Sequence, residues 1–267
     1  MNQPTVLSIA AHPDDTEIFC AGCLKLLVDK GFKVVIATMT PGGLGGIGIS
    51  SESKTSKLRK IEAQKAAKIL GAEYYCLDER DGYIFDCERA RIKTTTLIRK
   101  VKPDIILTHL PYDYCVDHRT TSNIIEAAAL VSTLPNVSCK EKPLEKTILL
   151  YFMNTLNNSD VFGNPITIPP FYINIESVVK TKLEMLSCHQ TQIEVMRIEQ
   201  GMPDFFGEME KRFAKVGEIA GVAYAEAYWQ HLGGGFSSKS LLQDVLKDFL
   251  ITKFDSNNDG SNRSKAV

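Results

Sequence analysis

Val6-Leu7-Ser8-Ile9-Ala10-Ala11-His12-Pro13-Asp14-Asp15-Thr16-Glu17 passes from an apolar run to a polar turn. A short apolar run bounded by a turn reads as a buried strand, and Pro13 fixes the backbone where that strand gives way to a helix. Ile18, Phe19, Leu24, Leu26 and Leu27 then recur at helical spacing up to Asp29-Lys30-Gly31, where the glycine suits a helix stop.

The pattern repeats downstream. Lys33 to Met39 reads as a second strand, and a Gly/Ser-rich loop runs from Pro41 to Ser53. Leu58, Ile61, Ala66, Ile69 and Leu70 form an amphipathic helix closed by Gly71. Tyr74 to Leu77, Asp104 to His109 and Thr147 to Met153 read as further strands, with helices at Ile92 to Val101 and Thr121 to Val131. Alternation at this spacing indicates βαβ units, and near-continuous apolar strands fit a mostly parallel sheet with helices on both faces. The expected fold is therefore α/β and Rossmann-like, a single domain over residues 1–254. Beyond Met153 the pattern is less regular. A loop at Asn154 to Pro170 is followed by a strand at Phe171 to Ile175 and helices around 177–199 and 205–230. The Gly/Ser/Asn-rich tail from Asp255 to Val267 is expected to be disordered.

Composition narrows the function. Of 267 residues, 44% are hydrophobic and 24% charged, as in ordinary globular proteins, and the net charge of -1 gives no field to recruit nucleic acid or an anionic membrane. No apolar stretch reaches the roughly 20 residues that span a bilayer. The N-terminus lacks the basic region of a signal peptide. Seven scattered cysteines suit reduced thiols rather than a disulfide framework. A cytoplasmic protein acting on a small molecule is expected, and self-association into a homo-oligomer is compatible with this composition.

In an open α/β sheet the ligand crevice lies at the carboxyl ends of the strands. Three polar clusters fall there: His12 to Asp15, Asp78 to Asp81, and His109 to His118. His12 and Asp15 are three residues apart, so one turn can aim both at a point. An imidazole and a carboxylate suit zinc, whose catalytic sites use three protein ligands and a water. His118 is the natural third ligand, and Asp14 stands beside the metal, free to act as general base. The plainer readings are acids capping a helix start and a surface histidine.

Together these segments resemble the PIG-L/LmbE family of zinc-dependent N-deacetylases. His12-Pro13-Asp14-Asp15 is similar to its first metal motif, and Asp117-His118-Arg119 to the end of its second, His-x-Asp-His. Arg59-Lys60-Ile61-Glu62, Leu77 to Gly82, His189-Gln190-Thr191-Gln192 and Gly221 to Glu226 are similar to later family segments. The resemblance implies that His12, Asp15 and His118 bind Zn2+, with another divalent ion such as Fe2+ as the alternative. It implies Asp14 and Asp117 in the catalytic set, and Arg59, Asp81 and Tyr114 on the substrate side. The implied substrate is a small N-acylated, typically N-acetylated, sugar or sugar conjugate. Cys115 stands where the family's first histidine would be, and a thiol is too weak a donor to replace an imidazolium. His189 is the candidate for the missing acid.

Other features carry less. Gly43-Leu44-Gly45-Gly46-Ile47-Gly48 fits a dinucleotide fingerprint only formally, because no acidic residue ends a following strand. It reads as a loop over the crevice. Cys20-Ala21-Gly22-Cys23 has no second pair and reads as small residues packing a helix on the sheet. Asp78 and Asp86 read as solvated acids. Three alternatives remain: a metal-dependent amidase cleaving another amide in a sugar-conjugate or natural-product pathway, an iron oxygenase using the same two-His, one-carboxylate set, and a non-catalytic sugar-binding relative.

Overall fold

The computed structural model describes residues 3–49 and 51–252; the tail read from Asp255 onward lies outside them. Thr5–Ala10 (β1) is buried along its whole length. It pairs in parallel with Lys33–Thr38 (β2), Thr5 opposite Lys33, and with Ile105–His109 (β4), Val6 opposite Ile105. Glu73–Cys76 (β3) lies outside β2, and Leu149–Met153 (β5) outside β4, both parallel. Three further strands extend the sheet in antiparallel pairings. They are Phe171–Asn174 (β6), Ala225–Gln230 (β7) and Leu250–Ile251 (β8), giving the order β3-β2-β1-β4-β5-β7-β6-β8.

Alternate residues of the central strands feed two cores, as burial on both faces requires. Val6, Ile36, Ile105 and Leu107 pack with Leu24, Leu27, Ala66 and Met185. Leu7, Ile9, Val35 and Ile106 pack with Ile98, Ile124 and Ile125 on the other side. The helices concerned are Ala21–Asp29 (α2), Glu52–Ile69 (α3) and Val179–Leu186 (α6) on the first face, and Glu88–Val101 (α4) and Val116–Val131 (α5) on the second. To keep this order, numbers α1, α7, α8 and α9 denote Asp15–Phe19, Gln190–Glu199, Phe205–Ala220 and Leu241–Val245. Each large aliphatic side chain fully buried contributes about 1.5–3 kcal/mol, so the sheet's two faces dominate the stabilisation.

Several expected boundaries move. The first helix is two, α1 and α2, because Cys20 at φ −145° breaks the helical backbone. Helix α3 opens at Glu52 instead of near Leu58, since the Ser51 hydroxyl accepts the Lys54 amide and Glu52 lies in the first turn. The stretch expected as one helix around 177–199 divides between α6 and α7. The helix expected over 205–230 ends at Ala220: Gly221 adopts φ 83°, a left-handed stop, and residues 225–230 are strand β7. The described helices include none long and apolar enough to cross a membrane.

Strand β7 ties the two parts of the sheet together through a buried acid. Glu226 accepts the amides of Gly22 (2.9 Å) and Cys23 (2.8 Å) at the start of α2, the Lys182 ammonium (2.6 Å) and the Tyr228 hydroxyl (2.8 Å). Lys182 also donates to the Ile18 carbonyl at 2.8 Å, fixing the end of α1. Gly22 is required for this approach, because a Cβ there would lie 2.7 Å from Ile175 Cγ2. The Cys20–Cys23 segment is thus a packing element, with both thiols buried.

Removing one member of a buried ion pair strands the other. Glu226→Ala is therefore expected to cost about 3–5 kcal/mol in chemical denaturation, and a loss under 1 kcal/mol would show that the pair does not hold α2 to β7.

Candidate metal and active site

The chain moves outward from β1 to β2 and β3, then crosses to β4 and β5 on the other side. The switch point lies between β1 and β4, whose carboxyl ends open a crevice. His12, Asp14 and Asp15 follow β1, and His109, Asp113, Asp117 and His118 end or follow β4.

Asp15 is the hub of the site. Its Oδ2 accepts the His12 amide at 2.7 Å and lies 3.4 Å from His12 Nδ1 and 3.2 Å from His109 Nε2, while Oδ1 lies 3.3 Å from His118 Nε2. Burial acts to raise its pKa, but the charges of His118 and His109 outweigh burial and hold the carboxyl well below the usual range. Burial would depress His12 and His118, yet both are raised well above an ordinary imidazole: His12 by Asp117, Asp15 and Asp81, His118 by Asp15 and Asp113. Ligand atoms about 2.0–2.1 Å from a tetrahedral ion stand roughly 3.4 Å apart. His12 Nδ1 stands at that spacing from one Asp15 oxygen and His118 Nε2 from the other, and a donor atom from each of the three residues lies within 4.8 Å of the others. Two imidazoles and a carboxylate are also the donor types zinc takes.

Asp14 is a different carboxylate. It sits at the start of α1 with φ 99° and makes no capping bond, so the capping reading does not apply to it. A non-glycine residue held there stores on the order of 1–3 kcal/mol of strain. Burial, then the negative charge of Asp15, push its pKa up to about 7 against the opposing charges of His189, Arg59 and His12.

The surrounding residues orient the histidines. Asp113, fully buried, has Oδ1 3.0 Å from His118 Nδ1 and accepts the Cys115 amide. Asp117 lies 3.3 Å from His12 Nε2 and accepts the Gly82 amide at 2.8 Å. Asp81 also lies 3.3 Å from His12 Nε2, and takes the Leu44 amide at 2.9 Å. A carboxylate on the far nitrogen is the usual partner of a metal-ligating imidazole. His109 stacks on His118 at 3.8 Å between centroids; its Nε2 accepts the Ala11 amide, and burial followed by the His118 charge lowers its pKa.

A cavity of about 240 Å³ opens here, lined by His12, Asp14, Asp15, Arg59, Asp81, Tyr114, Cys115 and His118, together with Gln192 and several apolar side chains. His189 is not among the lining residues. It is buried behind Asp14, with Nε2 3.2 Å from Glu17 Oε2. Asp78 and Asp86 are engaged at the surface with Lys60 and Arg91, away from the cavity. His109, Asp113, Glu17 and Gln192 were not singled out in sequence. A histidine closing a wholly apolar strand at the carboxyl edge was the available signal for His109.

The chain matches the family model described as PIG-L: GlcNAc-PI de-N-acetylase over residues 7–129. It is 27% identical over 199 residues, 72% of its length and 84% of the relative's, to the probable N-acetyl-alpha-D-glucosaminyl L-malate deacetylase 2 of Bacillus cereus. Over these residues the chain is similar to the PIG-L/LmbE-like deacetylase family. Among solved structures, N,N'-diacetylchitobiose deacetylase from Pyrococcus horikoshii superposes with a TM-score of 0.71 at 25% identity, covering 86% of this chain and 84% of that one. The relatives of this chain also include the 4-oxalmesaconate hydratase of Pseudomonas putida, 23% identical over 85% of this chain and 89% of that protein.

The Gly-rich loop rests on Arg59. The guanidinium donates to the Gly45 carbonyl at 2.8 Å and to Gln192, while Glu62, one turn on, accepts the Thr191 amide and hydroxyl at the start of α7. A Cβ at Gly45 would lie 2.6 Å from the guanidinium, so the loop packs on it only as glycine. Removing a charged donor forfeits about 1.5–3 kcal/mol per bond. Arg59→Ala should therefore raise the rate of subtilisin cleavage within residues 42–49 about tenfold or more; an unchanged rate would mean that Arg59 does not hold the loop.

Proposed function

We propose that this chain is a zinc-dependent hydrolase that removes an N-acyl group from a sugar or sugar conjugate, with N-acetylglucosamine-type amides as the reference substrates. The observation that carries the reading is the convergence of His12, Asp15 and His118 beside an unpaired, strained Asp14 at one end of a cavity. The fold over residues 3–252 would act as one catalytic domain. His12, Asp15 and His118 would hold the ion. Zinc bound there supplies a Lewis acid that polarises the scissile carbonyl and acidifies water toward neutral pH.

The remaining work falls to the protein. Asp14, held by its backbone to face the cavity and kept from capping α1, takes a proton from the attacking water. The amide nitrogen leaves only once protonated, and Asp14 can return that proton to it. Cys115 lines the cavity where an imidazole would otherwise donate, and a thiol donates weakly. His189 stands behind Asp14 and acts on it through charge. Asp117 and Asp113 hold His12 and His118 in orientation. Arg59 would meet substrate hydroxyls together with Asp81, and Tyr114 would flank them.

Metal analysis and carboxylate release separate these roles. His118→Ala should lose most of its bound zinc and its activity. Asp14→Asn should keep the zinc and lose about 10²–10⁴-fold in turnover, the usual contribution of a positioned base. If Asp14→Asn loses zinc as fully as Asp15→Asn does, the division between base and ligand is wrong. Cys115→His should raise turnover while His189→Ala changes it little; a severe loss in His189→Ala would assign the acid to that imidazole.

A further inference from the structure

The residues lining the cavity fall into two chemically distinct sets, a polar half and an apolar half. Its polar half is made by Arg59, Asp81 and Gln192 beside the metal-site residues. Its other half is made by Ile18, Phe19, Leu156, Met196, Phe205 and Met209. Two helices each run from one half to the other in a single turn. On α1, Asp15 is followed three and four residues later by Ile18 and Phe19, and on α7, Gln192 is followed four residues later by Met196. Residues at these spacings share a helix face. Helix α8 adds Phe205 and Met209, also four apart and both buried, which pack in one apolar cluster with Ile18 and Met196.

The apolar half begins at the reacting edge. The Phe19 ring packs edge-on against His118 and His109, with centroids 6.0 and 5.7 Å away. An amide whose carbonyl sits at His12, Asp15 and His118 therefore has apolar surface on one side and hydrogen-bonding groups on the other. Sugar hydroxyls need partners, because a buried polar group without one costs roughly 1–3 kcal/mol. The polar half, with Arg59, Asp81 and Gln192, offers them. The amine side of the substrate then lies toward Arg59, and the acyl side toward Ile18, Met196 and Met209. An acetyl methyl touches only the beginning of that apolar wall.

We infer that the acyl group this site is built to release is an unbranched aliphatic chain longer than acetyl, seated between α1, α7 and α8. The inference rests on the N-deacylase reading above and assigns its acyl specificity. Hydrolysis consumes one water, breaks the amide C–N bond, and yields a fatty carboxylate and the free amine.

The test is a series of N-acetyl-, N-propionyl-, N-butyryl- and N-hexanoylglucosamine on the zinc-loaded protein, scored by release of free amine. The expected result is a rise in kcat/KM of about fourfold per added methylene through butyryl, the gain from burying one CH2. Met196→Ser should lower the butyryl-to-acetyl ratio of kcat/KM several-fold. A preference for acetyl with falling rates along the series would overturn the inference while leaving the deacylase reading intact. So would a gain confined to N-acetylglucosamine alkyl glycosides, which would place the aglycone in the apolar half. Release from none of these amides would overturn both.

Discussion

A carboxylate buried among three imidazoles is the constraint on which this structure turns. Asp15 is 5% exposed and is faced by His12, His109 and His118. An ionised carboxylate in such a place is tolerable only with opposing charge or a cation beside it. Meeting that need requires β1 and β4 to be neighbours at the sheet's switch point, because His12 and Asp15 come from one and His109 and His118 from the other. Asp113 and Asp117 then need positions behind the rings, which the turn into α5 supplies. The polar network and the parallel sheet are consequences of the same geometry.

The same constraint explains why adjacent aspartates differ. Asp15 lies within the first turn of α1 and is compensated by imidazoles. Asp14, one residue earlier, is held in a left-handed conformation where burial and the charge of Asp15 outweigh the nearby cations and raise its pKa to about 7. Environment alone divides the pair, as is common where two acids must serve different chemical roles. Behind them, Lys182 and Glu226 fix the end of α1 and the start of α2, so a stability element far along the chain sets where Asp15 points.

Much of the first half of the fold was legible because each strand is a short apolar run ended by a polar turn. His12, Asp15 and His118 stood out for the same reason, at predicted strand ends. The second half was less legible. Residues 225–230 contain two alanines and a glutamate, which suit a helix, and only pairing with β5 and β6 makes them a strand. Glu226 stands in sequence only as the end of a family-like segment, and its structural role comes from its partners Gly22, Cys23, Lys182 and Tyr228. His109 and Asp113 become site residues through a stack and a pairing across the β4–α5 turn, and the apolar wall comes from α7 and α8, far along the chain. His189 was singled out as an acid facing substrate, and the fold sets it behind Asp14 against Glu17.

Three overlapping groups of donors converge here: His12, Asp15 and His118; His109, Asp113 and His118; and His12, Asp81 and Asp117. The account assigns the ion to the first and treats the carboxylates of the other two as partners that orient its imidazoles. Anomalous diffraction at the zinc edge from a zinc-loaded crystal tests this directly. The account predicts one peak per chain within bonding distance of His12 Nδ1, Asp15 and His118 Nε2. A peak between His109, Asp113 and His118, or between His12, Asp81 and Asp117, would contradict it.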